Sequence, residues 1–272
     1  KNKKLKEAKM RPLNEEDLEW MSSADQAVYP TTEPVSPKSM RTWIERIPGF
    51  GGCFFFDESS TTTTTTKKTT RERIGVFLCA PLSGEGWERL VIRGDVSEGT
   101  LDQERDLFMN INNTKTTTTT TTVESTSEKT RTFISLGIHL YHIEKLPGSE
   151  GIEGSFVDRV LEEIGRAISE TKTKAMKEMN SVSIQICGFS ALAASRSGCD
   201  LLSCRLNCRE IGRVVDEHVF IGIDDGKLMV VQSLTQSKLR ELQLSGMRYS
   251  HRCKLLAVLP EHPSVVWEFL HL

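Results

Sequence analysis

The stretch LYHIEKLPGSEGIEGSF, residues 140–156, carries most of the information about the architecture of this chain. An apolar segment typical of a β-strand runs into a loop containing Gly148, Gly151 and Gly154, and an amphipathic segment follows from Phe156. A strand, loop and helix in this order leave backbone N–H groups unpaired at the start of the helix. The helix dipole favours an anion there, and glycine lets a ligand approach the backbone closely. The stretch is therefore typical of a phosphate-binding turn.

Strand and helix patterns alternate on both sides of this stretch. The apolar segment Phe133–Glu144 predicts a strand long enough to cross a sheet, and apolar residues at helical spacing in 156–168 predict a helix. The other predicted elements are, in chain order, a strand at Met10–Leu13, a helix after Asn14, a helix starting at Ser36–Pro37, strands at Cys53–Phe56, Ile74–Ala80 and Glu88–Arg93, a helix at Thr100–Met109, a strand at Val182–Phe189, a helix at Gly198–Leu206, a hairpin of 217–223 and 227–231, a helix at Ser233–Leu244 and a strand at Cys253–Leu259. This order predicts an α/β fold with a mixed sheet and helices on both faces.

Two threonine-rich segments interrupt the predicted elements. They lie at 57–72, around Thr61–Thr66, and at 112–131, around Thr116–Thr122. Neither segment can bury enough apolar area to offset its chain entropy, so both are predicted to be disordered insertions in surface loops. Since strand-like segments flank each of them, the sequence predicts one domain over 1–272 that continues through both insertions.

The charge and the apolar content exclude several classes of function. A formal net charge of −2 gives no general attraction to nucleic acid or to acidic lipid. No apolar run approaches the roughly 20 residues needed to span a bilayer, so no membrane segment is predicted. Seven cysteines occur without a CxxC pair, mostly in apolar segments, which favours free thiols in a reducing compartment and a cytoplasmic protein. Cys204 and Cys208 share a helical face but Cys199 lies off it, so packing is favoured over a metal site, and no metal is predicted.

The opening MRPLNEEDLEWM and the loop IEKLPGSEGIEGSF together resemble the GNAT family of acyl-CoA N-acyltransferases. The opening is similar to the family's first strand and helix. In the family's acetyl-CoA loop, an apolar strand residue is followed about eight positions later by Gly-x-Gly, where a helix begins. Here Ile143 is followed by Gly151 and Ile152, but the second glycine comes one residue late, as Gly154. Gly148 stands where the family usually has Arg or Gln.

A second unit, GFSALAASRSGCDLLSCRLNCREIG, resembles the family's fifth strand and the helix after it. Leu206 matches the family's leucine, whereas Asn207 and Cys208 replace the Gly–Phe that usually follows. Ser203 stands where a tyrosine often serves as general acid, so the acid for the leaving group has no candidate. Together with IGVFLCAPL and LGIHLYHIEKL, the pattern is most similar to that of divergent eukaryotic members, including fungal ones.

The resemblance implies an acetyl transfer from acetyl-CoA to a small-molecule or peptide amine. It also implies a GNAT-like, mostly antiparallel sheet that splays beside a bulged strand, where the thioester lies. The thioester carbonyl would accept a backbone N–H near Ile143 or Leu146, which acts as an oxyanion donor. The pyrophosphate is expected at the helix start, over Gly151, Ile152, Gly154 and Ser155.

An attacking amine must be neutral, so the reaction that the resemblance implies needs a base. Glu144 is the first candidate, because it ends the central strand beside the loop. His142 is the second, because the unperturbed pKa of histidine lies near neutral pH. Simpler interpretations stay open for the same residues: Glu144 also fits a solvated strand end, and His139 and His142 fit core or rim positions.

Other functions are compatible with the sequence. The missing tyrosine and the missing Arg or Gln favour a GNAT-like module that binds a partner without catalysis. Gly151 and Gly154 also fit an unrelated α/β domain that binds a nucleotide or phosphate. A serine hydrolase fits poorly, because Ser190 follows Gly188 as in a nucleophile elbow but Leu192 replaces the second glycine.

Overall fold

The computed structural model of the chain describes residues 8–28, 34–56, 73–110, 133–146, 155–179, 182–193, 196–210, 218–222, 228–232, 248–252 and 254–270. Both threonine-rich insertions and the predicted helix at 233–244 lie outside these ranges.

The first two helices begin at side chains that cap their N-termini. The elements here are strand β1 (Ala8–Pro12), helix α1 (Glu15–Val28) and helix α2 (Pro37–Arg46). Asn14 Oδ1 accepts a hydrogen bond from the Asp17 N–H at 3.0 Å, and Asp17 Oδ2 accepts one from the Asn14 N–H at 2.9 Å. Ser36 Oγ accepts from the Ser39 N–H at 3.1 Å, and Pro37 occupies the first helical position. These caps confirm the predicted starts of both helices.

The rest of the chain alternates strands with helices. The elements are β2 (Gly51–Phe56), β3 (Arg73–Ser83), α3 (Gly84–Trp87), a π-helical turn (Glu88–Arg93), a 3₁₀ turn (Glu98–Thr100), β4 (Phe133–Lys145), α4 (Phe156–Glu178), β5 (Ser183–Ala193), α5 (Arg196–Asp200), a second π-helical turn (Leu201–Arg205), β6 (Arg209–Glu210), β7 (His218–Gly222), β8 (Leu228–Gln232), β9 (Arg248–Arg252), β10 (Lys254–Val258) and α6 (Val265–Phe269). None of the described helices is both long enough and apolar enough to cross a bilayer.

The described strands form two sheets. The larger sheet has the order β1-β2-β3-β4-β5-β10-β6, and the smaller one has the order β8-β7-β9. Every pairing in the larger sheet is antiparallel except that of β4 with β5, which is parallel. The parallel pair needs a crossover connection, and α4 supplies it. The predicted mixed, mostly antiparallel sheet is therefore confirmed.

Helices cover both faces of the larger sheet, as predicted. On one face, α4 and α6 pack over apolar side chains of β3, β4 and β5, among them Phe77, Ile138 and Phe189. On the other face, α1 and α2 pack through Met21 and Trp43 over a second apolar cluster. Burial on both faces explains why β3 and the first part of β4 read as continuous apolar runs rather than as alternating patterns.

Trp87 shows how closely the second face is packed. A Cβ atom added to Gly137 would lie 2.5 Å from Trp87 Cε3, and one added to Gly188 would lie 2.5 Å from Trp87 Cζ2. These two glycines are paired across β4 and β5, so the indole lies directly on the backbone of both central strands. No residue with a side chain fits at either position without moving the indole.

Two predicted elements are wrong. Glu88–Arg93, predicted as a strand, is a π-helical turn that ends at Gly94 with φ of +67°. Thr100–Met109, predicted as a helix, is a turn held by the buried carboxylate of Asp106, which accepts bonds from Arg89 Nη1 at 2.5 Å and the Asp102 N–H at 2.9 Å. A local side-chain acceptor competes with helical backbone bonding, and here it prevails.

Candidate functional site

The two central strands separate at one end of the sheet. The last pair of the β4–β5 ladder joins Leu140 and Ala191. Beyond it, β4 continues to Lys145 while paired with β3, and β5 continues to Ala193 while paired with β10. The two strands therefore follow different neighbours, and the gap between them is called the splay below. The splay that the family resemblance implied is present.

A β-bulge on β4 lies where the splay begins. His142 pairs with Leu78 and Leu140 pairs with Cys79, so Tyr141 is the extra residue of the bulge. The Tyr141 ring meets the Trp43 ring of α2 at 5.3 Å, and the His142 ring meets the Trp20 ring of α1 at 6.3 Å. Adjacent residues of a regular strand would point to opposite faces, but here both point toward α1 and α2.

The backbone of β4 presents an amide to the splay. The Leu146 N–H donates to the Ile74 carbonyl at 3.0 Å, which continues the antiparallel ladder with β3. Bonding alternates along such a ladder, so Glu144 and His142 also direct their backbone groups toward β3. The N–H of Ile143 points the other way, into the splay. This geometry corrects the expectation for Leu146, whose amide already has an acceptor and is not a free oxyanion donor.

The start of α4 lies next to the end of β4. The Phe156 ring packs against Gly75, and Gly75 is paired with Lys145. Ser155 is the N-cap residue, but its side chain makes no capping hydrogen bond. Asp158, in the first turn, is paired with Arg205 at 2.5 Å, which offsets its negative charge. Gly148, Gly151, Ile152 and Gly154 lie outside the described residues, so the phosphate-binding turn stays a prediction from the sequence.

Glu144 and His142, the two candidate bases, lie together with a third residue, Asp25 of α1. His142 Nδ1 donates to Asp25 Oδ1 at 3.0 Å, and His142 Nε2 lies 3.4 Å from Glu144 Oε2. The second contact is an ion pair that does not meet hydrogen-bond geometry, so His142 Nε2 has no hydrogen-bond partner among the described residues. The side chains of His142 and Asp25 are 11% and 18% exposed, whereas that of Glu144 is 44% exposed. Only Glu144 is therefore open to solvent. These three residues are called the acidic triad below.

The two carboxylates change the charge of His142. Burial by itself lowers the pKa of His142, but the hydrogen bond with Asp25 and the nearby Glu144 carboxylate outweigh it and raise the pKa to about 9. His142 is therefore an imidazolium at neutral pH. With a pKa of about 9 the ring keeps its proton at neutral pH, which favours Glu144 over His142 as the candidate base.

Asp25 could have been found in the sequence. Leu18, Met21 and Ser22 are buried residues of α1, and Asp25 continues their helical spacing. An acidic residue on the buried stripe of an amphipathic helix is unusual, because burying a carboxylate is costly unless it is paired. That signal indicates a specific partner, although it does not say which residue the partner is.

An ion-pair network holds α1 against the sheet and thereby positions Asp25. The fully buried Asp17 carboxylate binds Arg11 of β1 at 2.5 Å and Arg73 of β3 at 2.8 Å. Burial by itself raises the pKa of Asp17, but the bonds from Arg11 and the Asn14 N–H and the charge of Arg73 lower it below its ordinary value. Arg73 also lies over the ring of Trp20, at 5.6 Å, so the helix is fixed one turn before Asp25.

The other histidine of β4 belongs to a buried polar chain. His139 Nδ1 lies 2.9 Å from Ser190 Oγ, and His139 Nε2 lies 2.6 Å from Glu98 Oε1. This is the connectivity of a Ser–His–Glu triad, but both His139 and Ser190 are 0% exposed and Ser190 lies within β5. A substrate cannot reach the hydroxyl, so the chain ties β4 to β5 just before the splay. His139 is a satisfied core residue, one of the two interpretations left open by the sequence.

Ser203, at the position expected for the general acid, has its hydroxyl engaged. Its Oγ, in the second π-helical turn, donates to the Cys199 carbonyl of α5 at 2.6 Å. The described part of the structure therefore offers no acid at this position for the leaving group.

Comparisons with known proteins return structures of acetyltransferases. No protein-family model matches the sequence, and no curated protein matches it. Two solved structures of Arabidopsis thaliana NAA60 are similar to this chain: the complex with acetyl-CoA has 11% identity and a TM-score of 0.35, and the complex with a bisubstrate analogue has 10% identity and a TM-score of 0.37. Each similarity extends over 93% of this chain. It extends over 99% of the NAA60 chain in the first structure and 98% in the second.

A third similar structure is the mosquito arylalkylamine N-acetyltransferase like 5b. It has 9% identity and a TM-score of 0.38, over 93% of this chain and 99% of its own.

Proposed function

We propose that this protein is an acetyl-CoA-dependent N-acetyltransferase that acts on an amine. The observation that supports the proposal best is the splay beside the bulge at Tyr141, into which the Ile143 N–H points. An amide held in a strand is a fixed donor, and a fixed donor aimed at developing negative charge is what acyl transfer requires. The thioester carbonyl of acetyl-CoA would accept this N–H.

The reaction assigns a role to Glu144. The amine nitrogen attacks the thioester carbonyl carbon, the C–S bond breaks, and CoA leaves as a thiol after taking up a proton. An amine that arrives as an ammonium group must first lose a proton, and Glu144 would accept it. Glu144 suits this role because it is partly exposed and can pass the proton to solvent.

Binding of acetyl-CoA would use the start of α4. The uncapped first turn, behind Gly151, Ile152, Gly154 and Ser155, would hold the pyrophosphate through backbone N–H groups. The acceptor is a small-molecule or peptide amine. Every cysteine that the structure describes is a free thiol, which supports a reducing compartment such as the cytoplasm.

A second candidate function is binding of acetyl-CoA without turnover. It is favoured by Ser203, whose hydroxyl is engaged by the Cys199 carbonyl at a position where the family often has an acidic tyrosine.

Titration calorimetry with acetyl-CoA, combined with an amine turnover panel, tests the proposal. The panel holds a polyamine, an amino sugar, a lysine peptide and a free peptide N-terminus. Turnover supports the transferase, and binding without turnover supports the second function. If acetyl-CoA does not bind, both are wrong. A bulky residue at Gly151 should abolish binding, and unchanged affinity would contradict the position assigned to the pyrophosphate.

The variant Glu144→Gln tests the proposed base. We expect kcat to fall by about a hundredfold or more, in the range usual for loss of a general base, with little change in acetyl-CoA affinity. Glu162→Gln, on the exposed side of α4, is the matched control and should keep the wild-type kcat. An unchanged kcat for Glu144→Gln would remove Glu144 from the mechanism.

A further inference from the structure

The ring of His142 joins a buried carboxylate to an exposed one. His142 Nδ1 donates to Asp25 Oδ1 at 3.0 Å, and His142 Nε2 lies 3.4 Å from Glu144 Oε2. The side chains of Asp25 and His142 are mostly buried, whereas that of Glu144 is 44% exposed. Any effect of Asp25 on Glu144, the proposed base, therefore passes through the imidazole ring.

The strand places this contact beside the proposed thioester site. Side chains two residues apart in a strand point to the same face, so His142 and Glu144 both face α1. Ile143, between them, packs on the opposite face with the cluster under α4, and its N–H points into the splay. The contact with His142 thus holds the Glu144 carboxylate one residue from the proposed oxyanion donor.

Two charged groups contact the His142 ring within the described part of the chain. They are Asp25, from α1, and Glu144, from β4. The uncharged neighbours of the ring come from α1, β4 and β3, and they are Trp20, Tyr141 and Leu78. Arg73 of β3 lies over the Trp20 ring and is bound to the Asp17 carboxylate. Asp25 and Glu144 are therefore the charges that control protonation of the ring.

The protonation of the ring decides how Glu144 is held. In the imidazolium both nitrogens carry a proton, so Nδ1–H bonds to Asp25 while Nε2–H faces the Glu144 carboxylate. In a neutral ring that keeps its Nδ1–H bond to Asp25, Nε2 carries a lone pair instead, which repels a carboxylate oxygen. Asp25 raises the pKa of His142 and so favours the form of the ring that attracts Glu144.

We infer that Asp25 and His142 are positioning residues, which together hold the Glu144 carboxylate at the splay in the orientation that accepts a proton from the amine. The inference rests on the proposed function and adds two residues to it. Neither residue touches the substrate, because Asp25 fixes the ring and the ring fixes the carboxylate. The proton that Glu144 accepts passes to solvent, so His142 keeps its own proton throughout the reaction.

The pH dependence of kcat, measured with one acceptor throughout, tests the inference. In the wild-type protein kcat should fall as the pH rises through about 9, because the ring loses its proton there. In Asp25→Asn this fall should move about one pH unit or more toward neutral pH, as for loss of a neighbouring negative charge. Asp25→Glu restores the carboxylate and should move it back. Glu19→Gln, an exposed residue of the same helix, is the control and should keep the wild-type profile.

His142→Gln is a second variant, which keeps the test independent of the folding of Asp25→Asn. A glutamine amide reaches the place of Nε2 and donates to Glu144 at every pH, so the fall of kcat near pH 9 should be absent. A merely structural role would lower kcat by the same factor at each pH. A fall at the wild-type pH in either variant would overturn the inference while leaving the transferase intact.

A measurement without turnover applies if no amine is acetylated. The carboxyl carbon of Glu144 is followed by NMR in protein labelled with ¹³C-glutamate, and its signal is assigned with Glu144→Gln. We expect this signal to shift between pH 8 and pH 10, as the ring loses its proton, and to stay constant in His142→Gln. Such a shift supports the contact even where the transferase is contradicted. If the wild-type signal stays constant, the inference is wrong, whatever the turnover assays give.

Discussion

At the scale of single residues, the neighbours of each titratable group decide its chemistry. His139 and His142 lie three positions apart on one strand, and both are largely buried. His139 has both ring nitrogens bonded, to Ser190 and Glu98, in a closed polar chain. His142 bonds through one nitrogen and lies between two carboxylates, which keep it charged. Sequence patterns treat the two histidines alike, because both occur in the same apolar run.

The raised pKa of His142 predicts how stability depends on pH. The folded pKa, about 9, exceeds the ordinary value of 6.5, so the folded state binds the proton more tightly than the unfolded state. The contribution of this bound proton to the free energy of unfolding is complete below pH 6.5 and is lost as the pH rises through 9. It amounts to roughly 3 kcal/mol. Urea unfolding of wild type and His142→Gln should therefore differ more at pH 6 than at pH 9.5.

The matched control for this measurement is Gln185→Ala, an exposed residue of β5 without a titratable group, which should show the same stability difference from wild type at both pH values. A His142→Gln difference that is the same at pH 6 and pH 9.5 would show that His142 is not held as a cation.

At the scale of elements, the strands were easier to predict than the turns between them. β4 and β5 were predicted because apolar runs such as Ile138–Leu140 indicate a buried strand wherever they are placed. The turn at Glu88–Arg93 was not, because Val91 and Ile92 favour a strand, while the bond between Arg89 and Asp106 that shapes the turn spans 17 residues. Strand propensity reflects neighbouring residues in the sequence, whereas this bond joins residues that are far apart in it.

The candidate site likewise contains residues that the sequence identified and one that it did not. The sequence identified Glu144 and His142 because both lie on the strand that leads into the predicted phosphate-binding turn. Asp25 was not identified, because its place beside His142 depends on the packing of α1 and on the bulge at Tyr141. Nothing in the sequence around Tyr141 marks a bulge, since aromatic residues are common in regular strands.

The alternation of amides along β4 gives a prediction at the scale of this element. Leu146 donates within the ladder to β3, and the Ile143 N–H points into the splay. In amide hydrogen exchange followed by NMR, we expect the Ile143 amide to exchange faster than those of Leu146 and Glu144. Addition of acetyl-CoA should slow exchange at Ile143 and leave Leu146 nearly unchanged.

The Leu146 amide is the internal control, because it lies on the same strand and is already bonded to Ile74. If the Ile143 amide is as protected as Leu146 without ligand, the splay does not offer the donor on which the proposed function depends.

At the scale of the whole molecule, separate features converge on one end of the sheet. The polar chain of His139 ties β4 to β5 just before they part, and the bulge at Tyr141 begins the splay. Asp17, bound by Arg11 and Arg73, holds α1 over the same region and so brings Asp25 to His142. The apolar clusters on the two faces keep the sheet rigid, which a preorganised donor requires.

The first threonine-rich insertion is predicted to be dispensable for this arrangement. It lies at 57–72, and the strands that it joins are already adjacent, because Phe55 pairs with Arg73. Replacing residues 58–71 by Asn-Gly provides a residue pair favoured in tight hairpin turns. Loop-closure entropy varies slowly with length, so the free energy of unfolding should change by no more than about 1 kcal/mol, and acetyl-CoA affinity should be preserved.

Arg73→Ala, which deprives the buried Asp17 of a partner and Trp20 of its cation, should lose more stability in the same urea unfolding assay. A shortened chain that unfolds more readily than Arg73→Ala would mean that the insertion is part of the folded domain.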